Sequence, residues 1–156
     1  AAGSFPRLID LGVNPKVITS AVSISIAQRL VRLLCSQCKQ ETVPTADEKK
    51  IIDTTLASVT DKSYLEGIQT EKVWTSAGCE VCNKTGFVGR IGIFEAILAD
   101  SAIEQIVLQN PSEREIRAAA APQNILDMKQ DGVIKVLQGL TSLQELSRVV
   151  DLDKID

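Results

Sequence analysis

The 156-residue sequence contains no histidine. This excludes imidazole acid/base catalysis, Ser-His and Cys-His nucleophile pairs and every His-ligated metal. Aromatic residues make up only 3%, so a core has to be assembled from Leu, Ile, Val and Ala, which suits helices packed on a small sheet, an α+β class. Long apolar runs are missing as well. The longest uncharged stretch, residues 17–28, has Thr19, Ser20, Ser23 and Ser25 within it, and a membrane helix needs about 20 apolar residues. No membrane span is expected. Positive charge is not in excess: the formal net charge is -3, which removes the broad basic field of a nucleic-acid binder. Arg7 and Asp10 stand early, with no apolar run behind a basic segment, so no secretory signal is read and a cytoplasmic chain is expected. There is no G-x-x-x-x-G-K-[ST] phosphate loop and no G-x-S-x-G elbow.

What is present is enough to fold, since 44% of residues are hydrophobic, which supports one ordinary domain or two small lobes. Asn14-Pro15, an N-cap followed by proline at the first helical position, opens a helix expected over about 15–25 with Val17, Ala21 and Ile24 on one face. Residues 28–34, rich in Leu and Val and ending at a cysteine, read as a strand. Thr45 with Glu48, Ser101 with Glu104 and Ser112 with Glu115 have capping-box spacing. Ile51, Ile52, Leu56 and Val59 offer a buried face to the helix after Thr45. Residues 71–99 carry Val73, Trp74, Phe87, Val88, Ile91, Ile93 and Phe94 between glycines, the pattern of short strands and tight turns. Within it, residues 86–92 read as a strand hairpin and not as a phosphate cradle. A further helix is expected from near Asn124 to Gln138, stopped by Gly139, and another from Thr141 or Ser142. Glu41, Asp47, Glu48 and Asp53 read as a solvated helix face, and no residue is assigned a catalytic role.

All four cysteines fall into two Cys-x-x-Cys pairs, Cys35/Cys38 and Cys79/Cys82, with 40 residues between the pairs. Two-residue spacing lets a tight turn aim two thiolates at one ion, and two such turns complete the tetrahedral four-sulfur shell of a closed, structural zinc site. Arg32, Lys39 and Lys84 flank the pairs and are expected to offset part of its negative charge. An iron-sulfur cluster, a redox dithiol and a metal-free core remain alternatives. A long insert means that the ion would tie together two parts of one lobe.

Taken in order, the runs AAGSFPRLIDLG at 1–12, AQRLVR at 27–32 leading into Cys35, GRIGIFE at 89–95 after Cys82, and MKQDG at 128–132 with Lys135, GLT at 139–141 and Glu145 resemble the type II secretion and type IV pilus assembly ATPases. The resemblance covers essentially the whole chain. It implies a homo-hexameric motor at the cytoplasmic face of the bacterial inner membrane, in which hydrolysis of ATP with magnesium moves an inner-membrane platform protein that assembles fibres. It also implies that the phosphate loop, acidic boxes and histidine box lie upstream of residue 1, which would account for the missing histidine. On it, residues 1–34 are the end of a RecA-like ATPase core, 35–98 a tetracysteine zinc lobe with short strands, and 99–156 a helical C-terminal cap. Arg90 is implied to lie near the nucleotide in the complete motor. Such a piece alone is expected to be non-catalytic, supplying a structural zinc site and an interaction surface. The competing classes are a free-standing zinc-ribbon-like protein-binding adaptor and a thiol redox enzyme.

Overall fold

The fold is seen in a computed structural model, which describes residues 1–152. In chain order its regular elements are helices α1 (Ser4–Asp10) and α2 (Pro15–Ala21), strands β1 (Ile24–Leu34) and β2 (Lys39–Thr42), helix α3 (Ala46–Ala57), strands β3 (Val73–Ser76) and β4 (Phe87–Leu98), and helices α4 (Ser101–Val107), α5 (Glu113–Ala120), α6 (Met128–Leu137) and α7 (Leu143–Ser147). This is a mixed fold of helices and two-stranded sheets, β1 with β4 and β2 with β3. The chain divides into two compact units. Unit 1 takes Ala1–Ala27 and Glu95–Ile125, and unit 2 takes Gln28–Phe94 and Leu126–Asp156, described as far as Leu152.

Unit 1 closes α1, α2, α4 and α5 around Phe5, Ile18, Ile97, Ile103, Val107 and Ile116. Each such side chain, moved wholly out of water, contributes about 1.5–3 kcal/mol. Asn14 caps α2 as expected, accepting from the Lys16 N–H at 3.0 Å. The helix stops at Ala21, earlier than expected, because Val22 is extended at φ -99° and the alternating Ser-Ile-Ser-Ile that follows suits a strand. Ile24 is therefore the first residue of β1 and not the last buried turn of a helix. The expected capping box at Ser101 is displaced by one residue. Asp100 is the cap, its carboxylate accepting from Ala102 at 3.1 Å and Ile103 at 3.0 Å, and an ionised acceptor at a helix start outcompetes a hydroxyl. The box at Ser112 and Glu115 forms as expected.

Unit 2 packs α3, α6 and α7 on the strands, with Val31, Ile52, Leu56, Val73, Ile93, Val133, Val136, Leu143 and Leu146 at its centre. The Thr45 capping box forms with Glu48. The helix expected from Asn124 starts only at Met128, because Asn124 sits in the left-handed region at φ 56° and ends a short 3-10 turn, after which Asp127 and Gln130 form a capping box of their own. Ser142 caps α7, accepting from Glu145. Residues 86–92 are not a hairpin. Residues 87–92 open a single long strand, β4, whose Gly89 takes φ +78°, a conformation that favours glycine. The partner is β1, so Gly89 and Gly92 lie inside one strand and not at a reversal between two.

Candidate metal centre

Two ladders of unit 2 bring the cysteine pairs together. In the antiparallel pairing of β2 with β3, Lys39 lies opposite Ser76 and Thr42 opposite Val73, so the residue after Cys38 faces a residue three before Cys79. At the other flank the Cys35 N–H donates to the Gly86 carbonyl at 2.9 Å. The first turn is closed by Cys38 and Lys39 N–H groups, which both donate to the Cys35 carbonyl, at 3.3 and 2.9 Å. The second is a 3-10 turn, Glu80–Cys82, followed by Asn83 and Lys84 in the left-handed region at φ 50° and 61°. The 40 intervening residues do not disturb the site, because α3 and its flanking loops leave from β2 and return through β3.

The four Sγ atoms all lie within 4.8 Å of one another. The Cys35–Cys79, Cys38–Cys82 and Cys79–Cys82 separations are 3.8, 3.8 and 3.7 Å. A tetrahedron with metal–sulfur bonds of about 2.3 Å has edges of about 3.8 Å, so the cage has the dimensions of a four-thiolate site. All four are free cysteines, Cys35 and Cys82 buried and Cys38 and Cys79 half-buried. Burial pushes the Cys82 thiol up, but backbone N–H donors from Cys79 at 3.1 Å and Gly86 at 3.2 Å, together with the thiols of Cys79 and Cys38, outweigh it and bring the group down to about 6. The surroundings of Cys82 thus favour negative charge on its sulfur. Ser76, whose hydroxyl lies 3.2 Å from the Cys38 sulfur, was not legible as part of the site, since its proximity depends on the β2–β3 register.

The flanking cations all carry partners outside the sulfur cage. Arg32 pairs with Glu145 at 2.6 Å and lies over the Phe87 ring at 4.1 Å. Lys39 donates to the Gly139 carbonyl at 2.9 Å, and Lys84 pairs with Glu80 at 3.3 Å. Each thus has a partner of its own, and the N–H donors at the site, from Cys79 and Gly86, reach the Cys82 sulfur. Of the acidic group read as a helix face, Glu41 lies on β2 and pairs with Lys72 at 2.6 Å, while Asp47 and Glu48 occupy the first turn of α3. Arg90 is an exposed residue of β4, and its guanidinium has no hydrogen bond or ion pair among the described residues.

A family model described as type II/IV secretion system protein matches residues 1–148. The chain belongs to this family. It is similar to the type II secretion system protein E of Aeromonas hydrophila, 33% identical over 153 residues that cover 98% of this chain and 28% of that protein. It is also similar to the type IV pilus assembly ATPase PilB of Pseudomonas aeruginosa, at 34% identity over 96% of this chain and 25% of that one. The type IV pilus assembly ATPase TfpB of Acinetobacter baylyi matches at 35% over 97% of this chain and 24% of its own. The chain therefore spans about a quarter of the length of these secretion-family relatives. Among the described residues no helix is long and apolar enough to cross a membrane.

Proposed function

We propose that this chain is the carboxy-terminal part of a hexameric, ATP-driven motor of type II secretion or type IV pilus assembly, in which it supplies a structural zinc lobe. The observation that carries the zinc assignment is the sulfur cage, with 3.7–3.8 Å edges and four thiols as its donors. Zinc accepts four thiolates in a closed tetrahedron, and with four protein ligands no position is left to activate water. Cys35, Cys38, Cys79 and Cys82 would hold the ion, and the Cys79 and Gly86 N–H groups would share the charge of the Cys82 sulfur.

On this reading residues 1–34 end a RecA-like core, 35–98 form the zinc lobe and 99–156 a helical cap, the last four residues lying outside those described. ATP and magnesium are bound by the rest of the motor, because this sequence has no phosphate loop. The motor works at the cytoplasmic face of the inner membrane on a platform protein. Arg90, whose guanidinium has no partner among the described residues and which lies between Gly89 and Ile91-Gly92, reaches toward the nucleotide there. The ion stiffens a lobe poor in aromatic anchors, so that nucleotide-driven movement is transmitted and not lost to local unfolding.

Elemental analysis of protein purified without chelator tests the metal, with about one zinc per chain expected for a single closed site. Iron in its place, or disulfides with little metal, would overturn it. The isolated chain should show no magnesium-dependent ATP hydrolysis above a mock preparation, and turnover there would defeat the assignment of the nucleotide site to the rest of the motor. In the full-length parent, Arg90→Ala should weaken ATP binding or slow turnover with zinc content unchanged. Wild-type nucleotide affinity and turnover in that variant would leave Arg90 a solvated strand residue.

A further inference from the structure

Within unit 2 the strand leading into Cys35 is gripped by a second segment, the turn between α6 and α7. Leu34 donates its N–H to the Leu140 carbonyl at 2.9 Å. The Thr141 hydroxyl donates to the Arg32 carbonyl at 2.9 Å. The Glu145 carboxylate accepts the Arg32 backbone N–H at 3.2 Å and two guanidinium bonds at 2.9 and 2.6 Å. At the other end of the same cysteine pair, Lys39 donates to the Gly139 carbonyl and stands over the Trp74 ring at 4.6 Å. Gly139, at φ +71°, lies so close to that indole that an added Cβ would come within 2.7 Å of it. Residues on both sides of the Cys35/Cys38 turn are therefore tied to residues 139–145.

Residues 141 and 145 make these bonds from buried positions, while the Arg32 side chain is 39% exposed. Thr141 is 0% and Glu145 6% exposed, and a carboxylate so placed is costly unless its partners stay in position. Arg32 is the principal partner, with Arg148 a second at 3.5 Å. Arg32 lies three residues before Cys35, near the end of β1, so displacement of the cysteine turn displaces the partner of a buried charge. We infer that residues 139–145 are a positioning clamp for the first cysteine pair, anchored by Glu145, and that metal loading and ordering of the α6–α7 turn are one coupled event.

This rests on the metal reading above and adds a reciprocal consequence, since coupling between two events acts equally on both. Breaking the clamp weakens metal binding, and removing metal loosens the turn. Glu145 is a positioning residue, acting on the sulfurs through Arg32. The test uses the full chain, loaded with zinc or stripped by chelator, with amide exchange read by mass spectrometry and zinc affinity read by competition with a coloured chelator. Stripping should speed exchange across residues 139–146 about tenfold or more while α4 and α5 of unit 1 are unchanged. Glu145→Gln and the milder Thr141→Val should each weaken zinc binding by about tenfold, the lower end of what outer-shell support contributes, and Lys49→Ala, a surface control, should match wild type. Unchanged exchange at 139–146 on stripping, or a folded Thr141→Val variant holding zinc as tightly as wild type, overturns the clamp and leaves the metal reading standing. A chain that takes up no zinc overturns the metal reading itself, and the clamp with it.

Discussion

Unit 1 has no cysteine and closes on apolar side chains, Phe5, Ile18, Ile103 and Ile116 among them, each 2% exposed or less. Unit 2 carries all four cysteines and has its own apolar centre, yet around the second cysteine turn that centre gives out. Between Gly78 and Gly86 only Cys82 is fully buried among side-chain-bearing residues, Val81 is 69% exposed, and Asn83 and Lys84 sit in the left-handed region, which costs Lys84 about 1–2 kcal/mol. Such a turn cannot be held by burial. The contrast separates two kinds of stability: a lobe whose folding energy is hydrophobic, and a lobe in which one segment depends on sulfur chemistry.

The sharpest way to break that contrast is to remove a ligand. On the proposed zinc reading, Cys79→Ser should destabilise unit 2 by more than about 5 kcal/mol, because binding and folding are coupled in closed four-ligand sites. Amide exchange should rise across β2, β3 and the two cysteine turns while α4 and α5 keep their protection. Equal loss of protection in both units would mean that the four-cysteine cluster supports the whole chain. The mirror experiment is Phe5→Ala, expected to cost about 3–5 kcal/mol by opening a cavity, with exchange rising in α1 and α2 and zinc content unchanged.

Solution pH sharpens the comparison next. In metal-free protein the Cys82 thiol titrates near 6, below its ordinary value of 9.0. A thiol with a depressed folded value adds stability that is complete above the ordinary value and is lost as pH falls through the folded one. Chemical denaturation of stripped protein should therefore show stability rising between about pH 6 and pH 9, and Cys82→Ser should flatten the rise. A slope that survives this substitution would assign it to other groups.

The smallest effects should be equal in the two units. Ser112→Ala in unit 1 and Thr45→Ala in unit 2 each remove a reciprocal capping box, and each should cost about 1 kcal/mol in thermal or denaturant unfolding. A marked inequality would show that one helix is held by tertiary packing so firmly that its cap no longer matters.

Family membership, the two Cys-x-x-Cys turns, the boxes at Thr45 and Ser112, the caps at Asn14 and Ser142 and the stop at Gly139 were all legible in the amino-acid order. The family is read from the order of short motifs along the chain, and each of the turns and caps depends on residues within a few positions of one another, where spacing alone sets the geometry. Competition between neighbouring signals was harder to read: Asp100 displaces Ser101 as a cap, Asp127 starts the helix that Asn124 was expected to open, and β-branched alternation ends α2 before Ile24. The run 86–92 misled because glycine marks a left-handed residue without saying whether the chain reverses there. What only the tertiary structure decided is which distant groups meet. The cage has its 3.7–3.8 Å edges because β2 registers on β3 and Cys35 bonds to Gly86. Glu145 reaches Arg32, 113 positions away, because packing places the α6–α7 turn beside the end of β1. Sequence spacing governs groups that share a turn, and groups separated by a hundred residues are brought together only by the summed packing of everything between them.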